Sequence, residues 1–154
     1  MRKIITSKQI PALAEYIKSK NKIVLAGGCF DILHPGHIDF LAKAKQLGDV
    51  LIVMLEPDEK IKKLKGEDRP VNSLEARAIN LSKLSEVDFV LKLPNLKTDA
   101  DYEALVKKIE PDIIALTAED RVFNWEKKSK IRVIKVMKKV TGHSTTKIIQ
   151  NSNK

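Results

Sequence analysis

Five short apolar runs alternate with segments of helical periodicity along almost the whole chain, and no other feature narrows the possible folds as far. The runs are Lys22 to Ala26, Leu51 to Leu55, Phe89 to Leu93, Asp112 to Leu116 and Arg132 to Val136. Unbroken hydrophobicity, as in the run ending at Ala26, belongs to strands covered on both faces. Between them, Ile38, Leu41, Ala42 and Leu47 share one face of a helix running from Gly36 to Leu47, with Gly48 expected as its left-handed cap. Asn72 with Glu75 three residues on reads as a capping box for a helix bearing Leu74, Ala78, Leu81 and Leu84. Thr98 can cap another, with Leu105, Val106 and Ile109 on its face. Strand and helix in strict alternation require right-handed crossovers. The expected fold is therefore α/β: one doubly wound, parallel, five-stranded sheet with helices on both faces.

At 154 residues, 43% of them hydrophobic, the chain suits a single domain over residues 1–154. Residues 1–21 read as a helical extension packed on it: Ser7 as cap, Ile10, Leu13, Ala14 and Ile17 on one face, and Pro11 in the first turn. Pro57 to Val71 reads as a polar, basic loop. One cysteine cannot form an internal disulfide. The N-terminus lacks the pattern of a signal peptide, and no apolar stretch approaches the ~20 residues that span a bilayer. These features set the expectation of a cytoplasmic protein with no membrane partner. The net charge of +9 is spread over the chain, and two tyrosines, one tryptophan and four phenylalanines are too few for a base-stacking platform. The charge suits a polyphosphate pocket on a solvated surface better than a nucleic-acid groove.

In doubly wound sheets ligands sit beyond the carboxyl ends of the strands. The segments leaving those ends are Gly27 to His37, Leu55 to Val71, Thr117 to Lys130 and Met137 to Lys147. In the first, Gly27 and Gly28 admit backbone angles and close approach that side chains forbid. His34 and His37 flank the start of the following helix, where free N–H groups attract phosphate, and Gly36 between them leaves room for a ligand. A lone histidine in such a turn is more often a capping or surface residue; two of the chain's three, packed with two glycines and a proline, favour function. In the last segment, Gly142, His143, Ser144, Thr145 and Thr146 can donate at the start of a final helix, although Ser and Thr before Ile-Ile are commonly just a cap. Most of Lys60, Lys62, Lys63, Lys65, Arg69 and Arg77 belong to solvated surface. Lys65, beside Gly66, and Arg77, expected to project into the crevice, are the better candidates for phosphate contacts.

The stretch Gly28-Cys29-Phe30-Asp31-Ile32-Leu33-His34-Pro35-Gly36-His37, with Gly142 to Ile149, resembles the cytidylyltransferase-like nucleotidyltransferases that carry a His-x-Gly-His signature. Within that family the chain is most similar to the adenylyltransferase domain of bacterial ADP-heptose synthase. The residues pointing there are Lys63 to Gly66, Arg69 to Arg77, Val87-Asp88 and Pro111-Asp112. The resemblance implies a Rossmann-like fold and transfer of a nucleoside monophosphate from NTP to a phosphorylated small molecule. It implies that Gly28, Gly36 and the backbone at Cys29 and Phe30 touch the nucleotide, and that His34 and His37 stabilise the α-phosphate. Lys65 and Arg77 would neutralise phosphates, and Gly142 to Thr146 would cradle the β and γ groups. Mg²⁺ would travel with the nucleotide, without a dedicated protein metal site. A homodimer is the corresponding oligomer.

Two loops depart from the resemblance. Leu116-Thr117-Ala118-Glu119-Asp120-Arg121 stands where heptose adenylyltransferases usually have Lys-Gly-Gly-Asp-Tyr, and Leu55-Glu56 where they commonly have Asn and a small residue. Asp31, Glu56 and Glu119 are therefore the candidates for an acceptor pocket of altered size and charge. Three readings stay open: an ATP-dependent adenylyltransferase for heptose 1-phosphate or a related sugar phosphate; a CTP-dependent enzyme for glycerol 3-phosphate or another small phosphorylated alcohol; and a non-catalytic nucleotide or nucleic-acid binding module. The Arg that glycerol-3-phosphate enzymes tend to carry before Val-Asp is absent from Ser85-Glu86-Val87-Asp88.

Overall fold

A computed structural model describes residues 3–17, 21–118 and 120–138. Six strands form one all-parallel sheet: β1 (Ile4–Thr6), β2 (Ile23–Gly28), β3 (Val50–Leu55), β4 (Phe89–Lys92), β5 (Ile113–Thr117) and β6 (Arg132–Met137), in the order β1-β4-β3-β2-β5-β6. The architecture is the expected Rossmann-like one, with six strands in place of five. The additional strand is β1, three residues long with one buried position, too short to stand out as an apolar run. Pairing with β4 makes it a strand. Thr6, and not Ser7, precedes the single 3-10 turn over Ser7–Gln9, with the Gln9 side chain accepting from the Thr6 N–H at 2.8 Å.

Successive residues of β2 face opposite sides of the sheet, as the strand period requires. Ile23 and Leu25 join a core with Ile10, Leu13 and Ile17 of α1 (Ile10–Ile17) and Leu105, Val106 and Ile109 of α5 (Asp99–Ile109). Val24 and Ala26 join the other core with Phe40, Leu41 and Ala44 of α2 (Pro35–Lys45) and Ala78 and Leu81 of α4 (Leu74–Ser82). Leu25 is fully buried; truncating such a leucine to alanine costs about 2–5 kcal/mol.

The amino ends of the strands are clamped by carboxylates. Asp49, Asp88 and Asp112 each lead into a strand, and each accepts a neighbour's backbone N–H: Lys22 at 2.7 Å, Leu51 at 2.7 Å and Ile23 at 2.8 Å. The Val87-Asp88 and Pro111-Asp112 pairs thus set strand register at the end of the sheet away from the ligand side.

Three local expectations are corrected. Gly48 does not adopt a left-handed conformation, since Gly66 is the only glycine with positive φ among the described residues. It is small because a Cβ there would lie 2.7 Å from the Lys22 carbonyl oxygen. Ser73, not Asn72, caps α4, accepting from the Ala76 N–H at 3.2 Å, because Asn72 is drawn to Asp31. Part of the presumed loop after β3 is α3 (Asp58–Lys65), with acids in its first turn and lysines in its last, as the helix dipole favours. One buried residue, Ile61, anchors it, too little for a periodic signal. The remaining helices are α5 (Asp99–Ile109), capped by Thr98 as expected, and the short α6 (Asn124–Lys128).

Winding runs from β2 outward through β3 to β4, then returns to place β5 on the other side of β2. The crevice of such a sheet opens where that direction reverses, at the carboxyl ends of β2 and β5. Among the described residues no helix is long and apolar enough to cross a membrane.

Candidate active site

The chain leaves β2 at Gly28 and turns sharply. Gly27 and Gly28 are strand residues paired with Met54 and Leu55. The left-handed backbone falls on Phe30 instead, at φ 46°. Gly28 is required by proximity: a Cβ would stand 2.8 Å from the Phe30 ring. His34 is the N-cap of α2, its Nδ1 accepting from the Gly36 N–H at 3.2 Å, with Pro35 opening the helix. Acceptance at Nδ1 puts the proton of the neutral ring on Nε2. The His34 and His37 rings stack at 3.8 Å between centroids, and Phe30 tilts against His37 at 5.2 Å. Burial, with the charges of His34 and Lys65, brings the His37 pKa down to about 4, against a weaker upward pull from the Ile32 backbone. His37 is neutral at pH 7. Lys65, exposed at the end of α3, acts electrostatically on both His37 and Cys29. Burial outweighs Lys65 at Cys29 and holds its thiol above the usual range.

Beneath the turn the structure relocates two residues that the sequence placed among ligand contacts. Arg77 is fully buried and does not project into the crevice. Its guanidinium donates to the carbonyls of Cys29 (2.9 Å), Glu56 (2.8 Å) and Asn72 (3.0 Å), and to the Asp58 carboxylate (2.5 Å). It ties the β2 turn to the exit of β3, a bracing role that suits five fixed donors. Asp31 is likewise buried, accepting from the amides of Val71 and Asn72, each at 2.8 Å, and from Arg69 Nε at 3.1 Å. Burial pushes its carboxyl up, but these donors outweigh it and leave the pKa lowered. Asp31 fastens the turn to the loop before α4.

On the face of the sheet opposite α2 lies a cavity of about 350 Å³, bordered by Ala26 to Gly28, Met54, Glu56, Lys60, Tyr102 and, after β5, by Asp120, Arg121, Phe123, Trp125 and Glu126. Tyr102 donates to Glu56, 2.8 and 3.1 Å from its two oxygens, and Lys60 donates to the Tyr102 hydroxyl at 2.8 Å. Burial raises the Glu56 pKa, against the Tyr102 bond and the charges of Lys60 and Arg77. Burial and Glu56 together push the Tyr102 phenol up. Phe123 stacks between Tyr102 and Trp125, at 6.1 and 5.9 Å, with Arg121 over its face at 4.4 Å.

The structure thus brings together Gly28, Cys29, Phe30, His34, Gly36, His37 and Lys65 at the turn, and sets Glu56 in the adjoining cavity. Glu119 and the residues from Gly142 through His143, Ser144, Thr145 and Thr146 lie outside the described residues. Sequence reasoning passed over Tyr102, Phe123 and Trp125, and grouped Lys60 with charges that mostly belong to solvated surface. The available signal was the chain's one tryptophan, in a strand-exit segment already marked for chemistry. Tyr102 gave none, since its site role depends on where α5 docks.

A family model described as cytidylyltransferase-like matches residues 25–152. The chain is 39% identical over 149 residues to bifunctional protein HldE of Helicobacter hepaticus, covering 97% of this chain and 30% of that protein. Against the protein of the same name from Campylobacter concisus it is 40% identical, covering 93% and 30%. The chain spans about a third of the length of these curated relatives. Among solved structures, a lipopolysaccharide core biosynthesis protein from Thermoplasma volcanium is 31% identical with a TM-score of 0.61, covering 77% of this chain and 96% of that one. Pantoate-beta-alanine ligase from Francisella tularensis, at 18% identity and TM-score 0.62 over 88% of this chain and 67% of its own, shares the fold.

Proposed function

The chain belongs to the cytidylyltransferase-like family, and from that membership and the geometry of the turn we propose that it is a nucleotidyltransferase. It moves AMP from ATP to a phosphorylated sugar such as heptose 1-phosphate and releases pyrophosphate. The observation that carries this reading is the stacked His34 and His37 pair at the N-terminus of α2, within the field of Lys65. Similarity to the HldE proteins supports adenylyl transfer to a heptose phosphate, and the family description keeps CTP in the test.

The chemistry needs no general base, because the attacking group is a phosphate oxygen. A bond forms between that oxygen and the α-phosphorus as the bond to the bridging β-oxygen breaks, and pyrophosphate departs. Charge developing on the α-phosphate is met by donors already in place: N–H groups at the start of α2 and the imidazoles. His37 serves as a neutral donor, and Lys65 supplies the positive charge. Arg77 and Asp31 act at one remove, as positioning residues. In this reading Gly142 to Thr146 hold the β and γ phosphates. In the same reading Mg²⁺ arrives on the triphosphate. The proposal includes a cytoplasmic setting, where the triphosphate is consumed, and a homodimer, to be measured by light scattering.

The test is pyrophosphate release with ATP, CTP, GTP and UTP against a panel of sugar and alcohol phosphates. Release with ATP and a sugar phosphate, reduced about a hundredfold by His37→Ala without loss of folding, is the expected outcome. Full activity in His37→Ala rejects the site. No release with any pair, together with salt-sensitive binding to nucleic acid, favours a binding module.

A further inference from the structure

Building on the nucleotidyl-transfer reading, we propose that the cavity beside α6 receives the uncharged, hydroxyl-bearing end of the acceptor. Tyr102 is the positioning residue that aims Glu56 at one of those hydroxyls. Placement comes first. Glu56 and Lys60 lie on the exit of β3 and on α3, the stretch that also carries Lys65, and Gly27 and Gly28, which open the histidine turn, border the cavity, so the cavity adjoins the turn. About 350 Å³ falls within the usual range for small-molecule pockets.

Charge narrows the ligand. Glu56, Asp99, Asp120 and Glu126 border the cavity, and its two cations are engaged, Lys60 by the Tyr102 hydroxyl at 2.8 Å and Arg121 by Asp99 at 3.0 Å. A second anionic group on the ligand would meet carboxylates. A cationic group is not called for either, because Glu56 already feels the charges of Lys60 and Arg77. What Glu56 lacks is donors, since both of its oxygens share one hydroxyl while a carboxylate can accept about four bonds.

An independent observation points the same way. The buried indole Nε1 of Trp125 and Oε2 of Glu126, a residue only 4% exposed, have no hydrogen-bond partner among the described residues. Both residues border the cavity. One group lacks an acceptor and the other a donor, needs that hydroxyls meet together, whereas an ammonium only donates and a phosphate ester oxygen only accepts. The near-parallel rings of Phe123 and Trp125, 13° apart, offer an apolar wall for the carbon skeleton.

Trp125 is the chain's only tryptophan, so intrinsic fluorescence reports on the cavity directly. The full chain is titrated with heptose 1-phosphate, glucosamine 1-phosphate, inorganic phosphate, ATP and CTP. A saturable change with heptose 1-phosphate and none with inorganic phosphate is expected. Tyr102→Phe and Glu56→Gln each raise the acceptor KM about tenfold while kcat and the nucleotide KM stay within about twofold. The proposal is overturned by a saturable change with ATP or CTP alone, which assigns the cavity to the base. Tighter binding of the amino sugar, or an unchanged acceptor KM in both variants, overturns it too. Absence of pyrophosphate release with every pair defeats the transfer reading instead, and the titration, which needs no turnover, still decides the cavity.

Discussion

The histidine turn and the cavity beside α6 share one edge of the sheet but are held in opposite ways. Under the turn, charged side chains are spent on structure: Arg77 makes four bonds with no solvent exposure, and Asp31 binds two amides and Arg69. The cavity wall has aromatic faces and carboxyls with spare capacity, Glu126 holding, among the described residues, only the Phe123 N–H at 3.3 Å. The difference teaches where precision is needed. Transfer at phosphorus demands donors fixed before the substrate arrives. A pocket for the rest of the acceptor needs groups that are still free to bind it.

The strongest way to break this contrast is Arg77→Ala. Three part-buried carbonyls and the half-exposed Asp58 carboxylate lose their donor, and the space of a fully buried side chain is emptied, so stability should fall by about 2–4 kcal/mol in chemical denaturation. A loss under 1 kcal/mol would show that the turn does not depend on its brace. Asp31→Asn comes next, at about 2–3 kcal/mol, because the charge-assisted bonds to Arg69 and the Val71 and Asn72 amides weaken together. The matching change in the cavity, Glu126→Gln, should shift stability by no more than about 0.5 kcal/mol, since burial already holds that carboxyl above its usual range. Equal losses at Asp31 and Glu126 would erase the distinction.

Acidification sharpens the comparison further. The His37 pKa is lowered in the fold to about 4 from 6.5, so the unfolded chain binds the extra proton first. Stability contributed by neutral His37 is complete above pH 6.5, declines as pH falls toward 4, and is flat below that. With allowance for partial solvent screening the span is roughly 1–3 kcal/mol, which His37→Asn should remove from the urea midpoints measured between pH 7 and 4.

The fold was legible because its signals are local. Short, largely apolar runs marked β2 to β6, and the Thr98 cap marked the start of α5. Elements with weak local signals were missed: β1 depends on β4 for its pairing, and α3 on the single contact of Ile61. At the site, the His34 and His37 spacing and the surrounding glycines were visible in the chain, since three residues across a helix start place both rings together whatever surrounds them.

The chain order of residues alone therefore determined an alternating α/β sheet with an imidazole pair at one strand exit. Only the tertiary structure decided that Arg77 and Asp31 brace that exit while Glu56, Tyr102 and Trp125 form a cavity beside it. The physical reason is that a polar side chain's role follows from its burial and its partners. Those partners come from segments far apart in sequence: Arg77 reaches Cys29, and Tyr102 reaches Glu56. Residue type and spacing carry no record of such contacts until the sheet has brought the segments together.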